Sequence, residues 1–529
     1  MRFLSASLLA LGLSSFKAVA EITTLTLDEV DSQIASYLQG LENGTLSERS
    51  IESPTGCTLA CGFLNFILPG QISYPNSPIY EFLKSQYWSV QQYDASPVCR
   101  FSPTSAASVS VGVLAARVSQ CQFAAKSGGH AAFYGASNIN GGITFDLAKL
   151  NQVTVSANKK QVSLGPGNVW YDVYSTLTPM GLSVIGGRVA AIGVGGLTLG
   201  GGISFFSARY GWACDNVNNY QVVFADGTIR DVNYASYPDL YFALRGGGNN
   251  FGIVTRFDVV AFPQGDMWGG SDTYLYDAAT AAALNTAFEN VNVNIPSDPY
   301  ASVILAYGYA QSIGQYAISS ILEYGKPVAN PPILANFTAV PGAIASTLRI
   351  TNLPDLTVEL NNSNPGGFRE SYWTLMVKNG AALMTDLVEI FMEETDAIKD
   401  ASGILPSYVF QPISTAMTSQ FSKNGGNALG ISAADGPLVL INISISWLSA
   451  SDDARILRAA RNMVDRSNAA AYAAGLGYPF LYENYAALEQ KVFQSYGEKN
   501  LQKLRAVSKK YDPAGVWQKL QPGYFKLGL

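Results

Sequence analysis

A chain of 529 residues, with 48% hydrophobic and only 14% charged residues, is too long for one hydrophobic core and too apolar to be disordered. Its net charge of −6 and its lack of any Lys/Arg-rich stretch argue against a nucleic-acid partner. The single histidine and the five cysteines show no metal-ligand spacing, so we expect no metal site.

Residues 1–20 are predicted to be a secretory signal peptide. Arg2 supplies a positive start, Leu4 to Leu13 form a short apolar stretch, and Ala18-Val19-Ala20 is a small-x-small cleavage site. We therefore expect a secreted mature chain that begins at Glu21. No later segment of about twenty apolar residues predicts a membrane span. Four Asn-x-Ser/Thr sequons agree with a glycosylated product, and they begin at Asn43, Asn336, Asn361 and Asn442.

The cysteines predict at least one disulfide and at least one free thiol, because an oxidising compartment favours bridges and the count is odd. Cys57, Cys61 and Cys99 lie in loop-like sequence towards the N terminus, and we expect a bridge among them that involves Cys99. Cys121, which precedes a buried-looking strand, and Cys214 are each candidates for an inert buried thiol.

The first half of the chain is predicted to alternate helices and strands after a polar, helix-leaning segment over 21–55. Apolar spacing predicts helices over 105–119, 170–177 and 238–244, and strands over 122–125, 142–146 and 161–164. Asp226-Gly227, between predicted strands over 220–224 and 228–232, indicates a β-hairpin with a type I′ turn.

From about 264 to 472 the glycine clusters thin out and a separate α+β domain is predicted. Its long strands are expected over 301–310 and 437–447, and its helices over 278–291, 380–400 and 454–474. After Gly475 we expect an aromatic loop and a charged helix over 501–510.

His130 is the only histidine, and it lies in Lys126-Ser127-Gly128-Gly129-His130. Glycines let the backbone come close to a ligand, and an imidazole beside them can act as a nucleophile or a proton carrier. An isolated histidine is more often structural, so the interpretation depends on the neighbouring sequence.

Further glycine clusters occur at Gly141-Gly142, Gly186-Gly187, Gly193 to Gly202 and Gly246 to Gly252. Exposed backbone N–H groups in such loops can cradle a phosphate-bearing cofactor, although each cluster alone also suits a turn in a β-rich domain. The set lacks the strand–GxGxxG–helix layout of a Rossmann fold and the lysine of a Walker motif.

Several of these segments resemble the vanillyl-alcohol-oxidase/PCMH superfamily of FAD-dependent oxidases, and within it the berberine-bridge-enzyme-like branch. The resemblance rests on residues 126–130, 193–202, 209–216 and 244–255, and on the C-terminal Tyr482-Glu483-Asn484-Tyr485 and Lys510-Tyr511-Asp512-Pro513. It extends from about Tyr87 to the C terminus, is strong over the FAD-binding parts and is weak over 265–475.

The resemblance implies an α+β fold in which a PCMH-type split FAD-binding domain encloses an α+β substrate domain with an antiparallel sheet. The implied boundaries are an N-terminal extension over 21–86, the FAD-binding domain over 87–264, the substrate domain over 265–474, and the C-terminal part of the FAD-binding domain over 475–529.

The resemblance also implies one FAD per chain, joined through its 8α-methyl carbon to His130. Val189 stands where many relatives have a cysteine bonded to flavin C6, so we expect a single covalent link. Leu197 replaces a second histidine that is common in the family. The implied FAD-binding residues are Lys126, Ser127, Gly128, Gly129, Gly135, Gly193, Gly195, Gly196, Thr198, Gly200, Gly201, Gly202, Asp215, Asn250, Gly252, Ile253, Asn484 and Tyr485.

Substrate oxidation also requires a base near flavin N5, and without a second histidine the candidates are Tyr, Asp, Glu or Lys. Relatives often use a tyrosine of the Tyr-x-Asn-Tyr segment, and Tyr482 is the matching residue. Asn484 and Tyr485 are expected to contact the flavin or to order the loop. Simple packing would also account for both tyrosines.

The sequence therefore predicts a secreted, monomeric flavoprotein oxidase whose partners are a small-molecule substrate and O₂. It would take a hydride from an alcohol, a sugar-like hydroxyl or an activated C–H, and release H₂O₂. Two alternatives stay open: a dehydrogenase that uses a quinone or another acceptor, and a flavin-bound cyclase or binding protein without redox turnover. Release of H₂O₂ separates the first two functions.

Overall fold

The computed structural model describes residues 25–43 and 56–528. The expected signal peptide and its cleavage site lie outside the described residues. No helix within the described ranges is long and apolar enough to cross a membrane.

The N-terminal part is built around helix Ala106–Val118, which confirms the helix predicted over 105–119 and has Ser105 as its N-cap. Helices Leu27–Glu42 and Gly56–Ile67 pack on it and share its hydrophobic core. Beside these helices lies a four-stranded sheet with a parallel centre. Its strands, in spatial order, are Ile72–Ser73, Cys99–Phe101, Ile143–Asp146 and Phe123–Lys126, and short helices Pro78–Lys84 and Val90–Tyr93 connect the first two.

Two disulfides tie this part together. Cys61 is bonded to Cys99, which confirms a bridge that involves Cys99. Two expectations were wrong. Cys57 and Cys61 lie on helix Gly56–Ile67 rather than in loops, and Cys121 is bonded to Cys57 rather than free. Helix Gly56–Ile67 was not predicted because seven of its residues are buried, and they are distributed around its circumference. Without a polar face, the sequence shows no 3.6-residue alternation of apolar and polar residues.

Cys214 is the free cysteine, and it is buried. We therefore expect a thiol reagent to find no reactive thiol in the native protein and one per chain after denaturation without a reductant. Burial also raises the pKa of this thiol well above its ordinary value, which further lowers its reactivity at neutral pH. A count of three thiols in the denatured protein would contradict one of the two bridges.

A second, antiparallel sheet follows. Its strands, in spatial order, are Val153–Val155, Gln161–Leu164, Ile253–Pro263, Val217–Val223 and Ile229–Val232, and Leu182–Val184 pairs with the far end of Ile253–Pro263. Helices Trp170–Leu177, Val194–Leu199, Ser207–Tyr210 and Pro238–Ala243 belong to the same region.

The predicted hairpin is confirmed, with Tyr220 opposite Val232. Its turn differs from the type I′ expectation, because Gly227 has a φ of +80° whereas Asp226 is not among the residues with positive φ. A type I′ turn needs positive φ at both central residues. Phe224 N–H donates to Thr228 O, and Gly227 N–H donates to Phe224 O. The loop between these bonded residues therefore has three residues, Ala225 to Gly227, and not the two of the expected turn.

The third sheet has nine strands and is antiparallel. Its main path, in spatial order, runs Ala345–Ser346, Met267–Leu275, Gln315–Tyr324, Ala301–Ala310, Leu405–Ile413, Leu438–Trp447, Arg369–Lys378 and Gly477–Tyr478, with Arg349–Thr351 also on Met267–Leu275. Helices Ala278–Asn294, Ala381–Asp396 and Asp453–Ala473 cover one face of this sheet and complete its core. Shorter helices are Ala335–Thr338, Leu353–Asn362 and Thr415–Thr418.

The last segment returns to the N-terminal part. Helices Val492–Ser495, Glu498–Tyr511 and Val516–Lys519 precede a C-terminal stretch without regular secondary structure. Phe123 N–H donates to Leu520 O at 2.6 Å, and the ring of Trp517 contacts that of Phe123 edge to face. The fold is therefore α+β. Its N-terminal part is completed by the C-terminal segment, and the domain with the nine-stranded antiparallel sheet lies between these two segments in the sequence.

Candidate active site

One cavity of about 580 Å³ lies between the glycine loops of the N-terminal part and the uncovered face of the nine-stranded sheet. It brings together sequence positions that are more than 350 residues apart. The predicted site residues that line it are Ser127, Gly128, Gly129, His130, Gly193, Gly195, Gly196, Gly252, Ile253, Tyr482, Asn484 and Tyr485.

Two of the glycine loops meet backbone to backbone at this cavity. A Cβ atom on Gly128 would lie 2.5 Å from the amide nitrogen of Gly193, so any larger residue would force the loops apart. Gly129 has a φ of +70°, a conformation that L side chains rarely adopt. These two constraints explain why glycines precede the histidine, and they leave a surface of exposed backbone at the cavity wall.

His130 is held by Trp88, a residue that no sequence pattern indicated. The two rings are stacked, with centroids 4.3 Å apart and planes 11° from parallel, and Trp88 N–H donates to Gly129 O. The imidazole Nε2 is buried and has no hydrogen-bond partner. Burial lowers the pKa of His130 to about 4, so the ring is neutral at physiological pH. A neutral, unpartnered imidazole nitrogen is a competent nucleophile.

The other predicted FAD-binding residues do not line the cavity. Lys126 is buried and pairs with Asp146, with Nζ 3.3 Å from Oδ2. Asp215 pairs with Arg245 at 2.9 Å and is also buried. These two buried ion pairs lie outside the cavity wall and support the loops that form it. The rest of this group is Gly135, Thr198, Gly200, Gly201, Gly202 and Asn250, of which Thr198 and Asn250 hydrogen-bond to nearby backbone carbonyls.

Tyr482 lines the cavity through a phenol that is fixed by two donors. Its Oη accepts hydrogen bonds from Gly202 N–H at 3.0 Å and from Asn484 Nδ2 at 2.9 Å. Asn484 Nδ2 is also 3.0 Å from Leu197 O, which ties the loop to the glycine run. The two N–H donors favour a phenolate, but burial is the larger effect and raises the pKa of Tyr482 above its ordinary value of 10.

Tyr485 faces a different set of partners. Its Oη accepts a hydrogen bond from Arg188 Nη2 at 3.0 Å and lies 3.4 Å from Gln411 Oε1, which Arg188 also contacts. Arg188 and Gln411 were not predicted. Arg188 directly precedes Val189, the position that the resemblance singled out, and both residues line the cavity. The position of an arginine directly after Gly186-Gly187 was therefore the sequence signal that could have identified Arg188 as a site residue.

The sheet side of the cavity is formed by alternating residues of neighbouring strands. Polar groups dominate on Leu438–Trp447, where Asn442, Ser444 and Ser446 face the cavity. Asn442 is only 6% exposed, so this fold has no room for a glycan there, and the sequon at Asn442 is corrected to a buried cavity residue. Asn43 and Asn336 are exposed.

Glu370 lies beside this polar row, and it was not predicted either. It is paired with Ser446 in the sheet register, and Ser446 Oγ donates to its Oε2 at 2.6 Å. The other oxygen, Oε1, is buried without a partner. Burial raises the pKa of Glu370 from 4.5 to about 8, so the folded protein holds it as a neutral acid at pH 7.

Replacing Glu370 with Gln should stabilise the protein in a pH-dependent way. Between about pH 4.5 and pH 8 the folded wild type keeps a proton that the unfolded chain releases, so wild-type stability falls as pH rises through this window. Glutamine does not ionise. Thermal unfolding should show a Glu370→Gln advantage that grows from pH 5 to pH 8 and then levels off. The control is Glu498→Gln at an exposed position, and an advantage independent of pH would refute the protonated state of Glu370.

Comparison with known proteins agrees with this geometry. Residues 97–233 match a family model described as an FAD binding domain. The chain is 38% identical to the FAD-dependent monooxygenase tpcD of Cochliobolus heterostrophus, over 93% of this chain and 98% of that protein. It is 37% identical to the FAD-dependent monooxygenase FUP4 of Fusarium proliferatum, over 84% of this chain and 87% of that protein. The chain belongs to the same family of FAD-linked oxidoreductases as these monooxygenases.

Solved structures share the fold of this FAD-linked oxidoreductase at low sequence identity. The 6-hydroxy-D-nicotine oxidase of Arthrobacter nicotinovorans aligns with a TM-score of 0.71 and 18% identity, over 85% of this chain and 96% of its own. Phl p 4, a grass pollen allergen with glucose dehydrogenase activity, aligns with a TM-score of 0.70 and 19% identity, over 86% and 97%. The predicted family resemblance, the α+β fold class and the FAD cofactor are confirmed.

The residues present fit FAD. The exposed backbone of the glycine loops suits a phosphate-bearing group, and the unpartnered Nε2 of His130 supplies a point of attachment. Among the described residues, no cluster of three or more His, Cys, Asp or Glu side chains has the arrangement to hold a metal ion.

Proposed function

We propose that this oxidoreductase is a secreted oxidase that carries one FAD joined covalently to His130 and dehydrogenates a small organic molecule. The donor group is an alcohol, a sugar-like hydroxyl or an activated C–H, and O₂ is reduced to H₂O₂. The observation that carries the proposal is the cavity with a neutral, unpartnered imidazole on one side and a polar sheet face on the other.

When bound, FAD supplies the two-electron acceptor. His130 is the residue that would hold it, because its ring is neutral and Trp88 fixes its plane. Val189 offers no sulfur for a second bond. The remaining cofactor contacts are assigned to the cavity-lining glycines, to Ser127, whose Oγ lies 3.0 Å from Gly195 N, and to Asn484 and Tyr485.

Tyr482 is the proposed base. Gly202 and Asn484 hold its oxygen in place, and a proton taken from the substrate would reach a phenolate that both donors stabilise. Tyr485 is the alternative base, because Arg188 donates directly to its oxygen. The substrate would lie against the polar residues of the sheet, whose opposite face is covered by helices and closed to solvent.

The test is a substrate screen of the purified protein with peroxidase-coupled detection of H₂O₂. Stoichiometric H₂O₂ with oxidised product supports the oxidase, whereas turnover only with a quinone or a dye acceptor supports the dehydrogenase. A protein that binds flavin but reduces no acceptor with any substrate would support the cyclase or binding protein.

A second candidate follows from the names of the relatives, which are FAD-dependent monooxygenases. A monooxygenase would place one atom of O₂ in the product. Turnover under ¹⁸O₂ separates the two reactions, because a labelled product supports oxygen insertion and an unlabelled product with H₂O₂ supports the oxidase.

Secretion is supported by the two disulfides and by the predicted signal peptide. N-terminal sequencing of protein recovered from culture medium should read from Glu21. Retention of the protein in the cell with reduced cysteines would refute secretion. We also propose a monomer, which size-exclusion chromatography with light scattering tests directly.

A further inference from the structure

Arg188 is the only Asp, Glu, Lys or Arg among the described residues that line the cavity. Its side chain is buried, since the residue is 8% exposed. His130, the other titratable base in the wall, is neutral because burial lowers its pKa. The cavity therefore holds one full positive charge among otherwise neutral side chains.

The partners of Arg188 in the structure are neutral. Its Nη2 donates to Gln411 Oε1 and to Tyr485 Oη, and in the described part of the chain it makes no ion pair with a carboxylate within 4.0 Å. Arg188 also influences Glu323, but burial is the larger effect and raises the pKa of that carboxyl well above its ordinary value. Arg188 and Glu323 form no ion pair within 4.0 Å.

The contact with Gln411 places the charge of Arg188 beside the sheet side of the cavity, where the substrate is proposed to lie, whereas its other partner, Tyr485, is also assigned to the cofactor. Gln411 belongs to strand Leu405–Ile413 of the nine-stranded sheet, and Tyr485 follows the proposed base. No hydrogen bond of Arg188 goes to the glycine loops at 128–129 or 193–202 in the described structure.

From this we propose that Arg188 binds an anionic oxygen of the substrate, so that the substrate class is a small organic acid or an acidic phenol. The inference rests on the proposed function, because it assumes that the cavity receives a small molecule beside FAD. A buried charge without a counter-ion is costly, and the guanidinium fork matches carboxylate and phenolate oxygens. An anionic substrate would supply the missing charge.

The test uses probe pairs that differ in charge but not in shape: benzoate with benzamide, and phenylacetate with phenylacetamide. Dissociation constants are measured on the purified flavoprotein by thermal shift and by perturbation of the visible flavin spectrum. We expect wild type to bind at least one anion about tenfold to a hundredfold more tightly than its amide. If no anion binds more tightly than its neutral counterpart, the proposal is overturned whatever the variants show.

Two variants assign that preference to Arg188. Arg188→Gln should remove the preference for the anion, and Arg188→Lys should keep part of it, because lysine retains the charge without the fork. Arg458→Gln, at an exposed position on helix Asp453–Ala473, changes the net charge equally and should bind as wild type does. If Arg188→Gln does not fold, a reduced but measurable preference for the anion in Arg188→Lys supports the assignment to Arg188. A full preference in a folded Arg188→Gln overturns it.

FAD is also anionic, so two further measurements separate it from the substrate as the source of the negative charge. Loss of bound flavin from Arg188→Gln would assign Arg188 to the cofactor phosphates. Weaker sulfite binding with unchanged benzoate binding would assign it to the flavin ring. Either result overturns the proposal. Failure of the proposed function is visible separately, as purified protein that contains no flavin or that keeps its anion preference without any redox turnover.

Discussion

Acid-precipitated wild-type protein should stay yellow, whereas His130→Ala should release all its flavin into the supernatant or purify without flavin. His130 is the only histidine, and its Nε2 lies buried and unpartnered at the glycine loops. Its pKa of about 4 keeps the ring nucleophilic at neutral pH, and the stacked Trp88 fixes its orientation. Alanine removes the only imidazole that can form the bond, so the expected effect is complete loss of the covalent link.

Peptide mapping supplies the control for this result. One flavin should be found on the peptide that contains His130 and on no cysteine, because Val189 has no sulfur and Cys214 is buried. Tyr134→Ala changes the same loop at a side chain that is 46% exposed and outside the cavity wall, and this variant should remain yellow. An adduct on a cysteine, or a yellow precipitate from His130→Ala, would refute the single link to His130.

The elements that the sequence predicted best are those whose signal is local. Helix Ala106–Val118 has a serine cap and a clear beginning. Strand Ala301–Ala310 matches its predicted bounds, and its β-branched and aromatic residues favour extended backbone. Helix Gly56–Ile67 was missed because it is buried on most of its surface, and that burial depends on helix Ala106–Val118 and on two disulfides. Such a helix has no amphipathic pattern to read.

The same distinction applies to the site. The loop around His130 was predicted because glycine, histidine and their spacing are contiguous. Glu370 was not predicted, because its environment depends on the register that places it opposite Ser446. Arg188 was not predicted either, because its partners Gln411 and Tyr485 lie 223 and 297 residues further along the chain. A buried charge or a buried neutral acid is defined by what surrounds it, and a sequence pattern does not contain that information.

Tyr482→Phe should lower the rate of anaerobic flavin bleaching by substrate about 10²–10⁴-fold, the usual contribution of general-base assistance. The phenol is buried and its pKa is raised above 10, so only a small fraction is ionised at pH 7. The wild-type rate should therefore increase with pH on the alkaline side, as more of the phenolate forms, and this increase should be absent in the variant. Stopped-flow absorbance with a substrate from the screen measures both effects.

Tyr485→Phe is the matched comparison, because the two rings contact each other edge to face with centroids 4.9 Å apart and each variant removes one hydroxyl. Loss of Oη from Tyr482 also leaves the donors of Gly202 and Asn484 without their acceptor, which costs about 1–3 kcal/mol of stability and should lower Tm without releasing the flavin. If Tyr482→Phe both slows flavin bleaching and removes its pH dependence, Tyr482 is the base. If that loss occurs in Tyr485→Phe and the Tyr482 variant keeps the wild-type profile, the base is Tyr485, whose oxygen Arg188 contacts at 3.0 Å.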